Sequence, residues 1–111
     1  MYYEIVENKQ SSEWILFIHG LGGSIRTWKK QLEKFSEKFN LLLVDLDGHG
    51  NSDATKQKTK YKSEEAVKKI KDILNKENIK KVLQIVCEKF VVLSQKLLYD
   101  YYYAVAIWIK G

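Results

Sequence analysis

The chain has 111 residues, a net charge of +5, and 45% hydrophobic and 30% charged residues. That sets an upper limit of one domain and allows a small core burying roughly 65% of the unfolded surface. Most of the lysine lies between Lys56 and Lys81, where only Tyr61 offers an aromatic ring, so it reads as a solvated helix face and excludes a nucleic-acid surface built on stacking. One cysteine, Cys87, excludes an internal disulfide framework, and Met1-Tyr2-Tyr3-Glu4 lacks the basic and apolar parts of a signal peptide, so a cytoplasmic setting is expected.

Taken in order, residues 2–6 read as a short strand and residues 8–12 as the turn after it. Trp14 to Ile18 is a continuous apolar run. Continuous rather than alternating apolarity suits a strand buried on both faces, as in a parallel sheet. The run ends at His19-Gly20. Ser24 is placed to cap the next element, and Ile25, Trp28, Leu32, Phe35 and Phe39 then recur at spacings of three and four, one face of an amphipathic helix. Leu41 to Val44 is a second fully apolar strand ending at Asp45. Residues 46–62 are polar and read as a loop.

Ser63 opens a second helix, with Glu64 and Glu65 suited to its positive end. Glu64 with Lys68 and Glu65 with Lys69 are favourable i,i+4 pairs. Ala66, Val67, Ile70, Ile73 and Leu74 form its buried stripe, and Asn75 to Asn78 close it. Val82 to Cys87 is a third strand, interrupted by Gln84. Strand, helix, strand, helix, strand implies right-handed crossovers and a parallel sheet with helices on its faces.

Beyond Lys89 the pattern is apolar but irregular. Val91, Leu98, Val105 and Ile109 fall on one helix face, so a C-terminal apolar helix is expected. Lys96 and Asp100 interrupt the stretch, and its cleanest run of about nine residues falls well short of the ~20 that cross a bilayer. No membrane span is expected.

Two glycine-rich stretches carry the functional information. His19-Gly20-Leu21-Gly22-Gly23-Ser24, after a buried strand and with Trp28 in the helix behind, resembles the turn that follows the third strand of the α/β-hydrolase family. Glycines let the backbone turn sharply and approach a ligand, and free N–H groups there suit a developing negative charge. The resemblance implies that His19, Gly20, Leu21 and Gly22 form an oxyanion turn, with the Leu21 N–H as a donor. Asp45-Leu46-Asp47-Gly48-His49-Gly50-Asn51-Ser52 is similar to the family's Asp-x-Pro-Gly-x-Gly-x-Ser stretch after the fourth strand, with Asp47 in place of proline. There Asp45, Gly48, His49, Gly50 and Ser52 would have a structural role, shaping the loop beside the active site. The resemblance covers residues 13–86.

The family's chemistry also needs a nucleophile on a tight Gly-x-Ser-x-Gly turn, then an acid, then a histidine. After the third apolar strand the chain reads Ile85-Val86-Cys87-Glu88-Lys89-Phe90-Val91, with no glycine between Gly50 and Gly111. Cys87 lies near the nucleophile position, but Ile85 and Lys89 stand where small residues belong and no histidine follows to activate a thiol. A buried, inert Cys87 is expected, and Ser94 lacks flanking glycines too. His19 and His49 both precede the elbow position, and nothing marks Asp100 as a triad acid. No catalytic residue is therefore assigned. The histidines, Cys87 and the aspartates lack metal-ligand spacing. The glycines fit neither a phosphate loop nor a dinucleotide fingerprint, so no metal and no cofactor are expected.

The reading is an α/β chain: a single partial α/β-hydrolase-like domain over 1–111, family-like over 13–86, with three to four parallel strands, flanking helices and a divergent tail over 87–111. By resemblance it is a serine hydrolase of carboxylic esters or related acyl bonds, with a small ester or acyl substrate, inactive as it stands. A truncated or frame-disrupted gene product would have this pattern. The alternative is a small non-catalytic module that associates with a partner or with itself through an exposed sheet edge and the apolar tail.

Overall fold

The computed structural model describes residues 1–19, 23–46, 50–52, 63–87 and 106–109. Five strands form one sheet in the order β1-β3-β2-β4-β5. They are β1 (Tyr3–Val6), β2 (Trp14–Ile18), β3 (Asn40–Val44), β4 (Leu83–Cys87) and β5 (Ala106–Ile109). Two helices join the inner strands: α1 (Lys29–Ser36), entered through a 3-10 turn at Ile25–Trp28, and α2 (Ser63–Lys76).

The unbroken apolar runs are explained by burial on both faces. Leu16, Ile18, Leu42 and Val44 point to one side and pack under Ala66, Val67, Ile70, Ile73 and Leu74 of α2. Ile15, Phe17, Leu41 and Leu43 point to the other side, under Ile25, Trp28 and the partly buried Leu32 and Phe35. In-register parallel pairing, Ile15 with Leu41 and Ile18 with Val44, keeps each set on its own face. Phe17 is the hub of the second face. Its ring centroid lies 5.2 Å from that of Trp28 and 5.8 Å from that of Phe35, the latter edge-on.

Local signals set the element ends. The Ser24 side chain accepts from the Arg26 N–H while Thr27 Oγ1 accepts from the Ser24 N–H, a capping box. At the far end of α2, Asn78 adopts φ 57°. The Ile79 N–H reaches Leu74 O at 2.8 Å and the Asn78 N–H reaches Asn75 O at 3.1 Å, the Schellman pattern with Asn in the left-handed position. Asn40, buried at the start of β3, ties down the preceding turn. Its Oδ1 accepts from the Asn8 N–H at 2.6 Å and its Nδ2 donates to Ser11 O at 2.8 Å. The Tyr3 hydroxyl donates to Glu77 Oε1 at 2.8 Å, linking the outer strand to the end of α2; that hydrogen bond, with burial, raises the phenol above its ordinary value.

Two expectations are corrected. The sheet is mixed, because β1 runs antiparallel to β3. Only residues 7–13 separate β1 from β2, too few for the crossover that a parallel arrangement needs. The four expected strands are all present, and a fifth joins them among the described residues. The fifth comes from the tail: Ala106–Ile109, expected to be helical, pairs in parallel with β4, Gln84 opposite Ala106 and Cys87 opposite Ile109. A short apolar run fits either period, and β-branched and aromatic content favours the strand. The rest of the expected tail helix lies outside the described residues, as does most of the loop over 46–62.

Candidate functional site

The topology places the site. From β2 the chain crosses over α1 to β3 on one side, then over α2 to β4 on the other side of β2. Right-handed crossovers in opposite directions put the two helices on opposite faces. The chain therefore leaves β2 toward one face and the adjacent β3 toward the other, which opens a crevice at their carboxyl ends. His19 and Asp45 are the residues immediately after β2 and β3.

Both are buried, and both work as hydrogen-bond acceptors there. His19 is 0% exposed, and its Nε2 accepts from the Leu46 N–H at 2.9 Å. An accepting Nε2 requires the neutral ring with its proton on Nδ1, so this histidine is a strut between the two strand ends. Asp45 is 2% exposed. Its Oδ1 accepts from the Ile25 N–H at 2.7 Å and its Oδ2 from the Asn51 N–H at 2.9 Å. The carboxylate thus sits at the amide-rich start of the 3-10 turn leading into α1 and reaches the second glycine loop at the same time. Charge-assisted bonds to backbone N–H groups are the strong kind.

Gly50 and Ser52 complete the clamp. Gly50 has φ +48°, and a Cβ there would lie 2.5 Å from Asp45 Oδ2. The position therefore needs glycine for conformation and for space. The Ser52 hydroxyl donates to Asp45 O and accepts from the Tyr2 N–H at 2.7 Å, while Tyr2 O accepts from the Asp45 N–H at 2.9 Å. The chain's first residues are stitched to the same loop. Beside this network lies a cavity of about 550 Å³ bordered by Glu4, Ser24, Arg26, Asp45, Gly50 and Asn51. Replacing Gly50 by alanine is expected to cost about 2–4 kcal/mol, combining left-handed strain with displacement of the carboxylate; a urea unfolding curve measures it.

Of the residues singled out from the sequence, the structure brings His19, Asp45, Gly50 and Ser52 together. Gly20, Leu21, Gly22, Gly48 and His49 lie outside the described residues. Tyr2, the Ile25 and Asn51 amides, and the Leu46 amide were not foreseen; backbone donors carry no residue-type signal in a sequence. The pairing of Ile18 with Val86 brings the end of β4 level with this crevice, where Cys87 is the last strand residue. Among the described residues no three His, Cys, Asp or Glu side chains are grouped to hold a metal ion, and no helix there is long and apolar enough to cross a membrane.

Helices on both faces of a largely parallel sheet, with a clamped glycine loop at the crevice beside its central strand, define an α/β fold of the doubly wound kind. The chain belongs to the alpha/beta hydrolase fold family, whose sequence profile matches residues 13–86. It is 28% identical over 74 residues to epoxide hydrolase 4 of Mus musculus, covering 67% of this chain and 21% of that protein. Over 41 residues it is 44% identical to 2-succinyl-6-hydroxy-2,4-cyclohexadiene-1-carboxylate synthase of Citrobacter koseri, covering 37% of this chain and 16% of that one. A solved carboxylesterase structure from Nitrososphaera gargenis superposes with a TM-score of 0.81 at 21% identity, over 96% of this chain and 40% of that chain, a likeness of fold. The chain thus spans about a fifth of the length of the epoxide hydrolase it matches.

Proposed function

We propose that this chain is the turn-bearing N-terminal part of a serine hydrolase acting on carboxylic esters or related acyl bonds, and that residues 1–111 alone do not turn such substrates over. The observation that carries the reading is the Asp45 carboxylate bound to the Ile25 and Asn51 amides, which ties the residues following the first glycine stretch to those that end the second. By resemblance the first glycine stretch supplies backbone donors, that of Leu21 among them, toward an oxyanion, and such donors are catalytic when fixed in advance. The relatives include an epoxide hydrolase and a carboxylate synthase; the choice of acyl chemistry therefore rests on the resemblance carried by the His19-Gly20-Leu21-Gly22 stretch. A small ester or acyl compound is the substrate class, and the single cysteine suits a cytoplasmic setting.

The inactivity follows from the sequence after β4. No Gly-x-Ser-x-Gly occurs there, and no histidine follows His49, so both nucleophile and base are lacking. Purified chain is expected to hydrolyse p-nitrophenyl acetate no faster than its Cys87→Ala variant and to take up no fluorophosphonate probe. Stoichiometric labelling of a serine, or turnover well above that variant, would overturn the reading.

A second reading, a non-catalytic module that associates with itself, draws on the position of β1 and β5 as the outer strands of the sheet. Edge strands present backbone donors and acceptors to another chain. Light scattering after size exclusion separates the two: a concentration-dependent dimer favours the module, and a monomer at all concentrations removes it.

A further inference from the structure

No further inference is drawn: the strongest candidate, the apolar groove of about 490 Å³ lined by Trp14, Phe39, Val82 and Leu83 at the end of the sheet opposite the glycine loops, carries nothing because no feature of the structure shows what covers it.

Discussion

Replacing Asp45 by alanine is expected to lower the unfolding free energy by about 2–5 kcal/mol, a large fraction of what a chain of this size has to lose. The estimate comes from what the substitution leaves behind. The Ile25 and Asn51 amides both point at the carboxylate, the first bond buried and the second part-buried; a donor left without an acceptor costs about 1–3 kcal/mol when buried and less where water reaches it. Asp45→Asn keeps one acceptor oxygen and turns an NH2 toward the other amide, so it should lose a similar share. Asp45→Glu keeps the charge and tests position alone. Denaturant unfolding read by tryptophan fluorescence measures all three. An Asp45→Ala protein as stable as the parent would show that the clamp contributes nothing.

The second large effect is expected at Phe17. Its side chain is 0% exposed and holds Trp28 and Phe35 against the sheet. Truncation to alanine removes the central contact of the α1 face. Phe→Ala changes in well-packed cores cost about 3–5 kcal/mol. Native domains hold roughly 0.05–0.15 kcal/mol per residue in total, so the variant should lose a large share of its stability and melt well below the parent. Phe17→Leu, which keeps most of the volume, should retain the fold at a cost of about 1–2 kcal/mol. A cooperative melt for Phe17→Ala close to that of the parent would contradict the packing described.

How much of this was legible beforehand follows from the physics of each element. The runs 14–18 and 41–44 are apolar on both faces because both faces are covered by helices, and that pattern shows in a sequence. The Ser24 cap and the closure of α2 at Asn78 were visible because capping and left-handed positions select residue types. The antiparallel course of β1 depended on the shortness of a connection, and β5 on a tail whose apolar residues satisfy any period. Asn40 gave no signal at all: a lone asparagine before an apolar strand looks like a turn residue until its partners Asn8 and Ser11 are seen.

The candidate site divides along the same line. Gly50 and Ser52 belong to a recognisable stretch, and the structure supplies the reason for each: a Cβ at Gly50 would strike the Asp45 carboxylate, and the Ser52 hydroxyl bridges Asp45 to Tyr2. The spacing of His19 from Asp45 carried no hint that they share one crevice, because that depends on β2 and β3 being neighbours with their connections on opposite faces. The glycine loops therefore identify the family, while the struts that hold them appear only in three dimensions.

At the carboxyl ends of β2 and β3, two buried acceptors, His19 and Asp45, form a clamp that holds the Leu46, Ile25 and Asn51 amides. Native-state amide hydrogen exchange tests it most directly. The amides of Ile25, Leu46 and Asn51 are expected to exchange with opening free energies close to those of β2 and β3, near the global unfolding value. Exchange at those three amides as fast as in an unstructured peptide, with the strands still protected, would contradict the account.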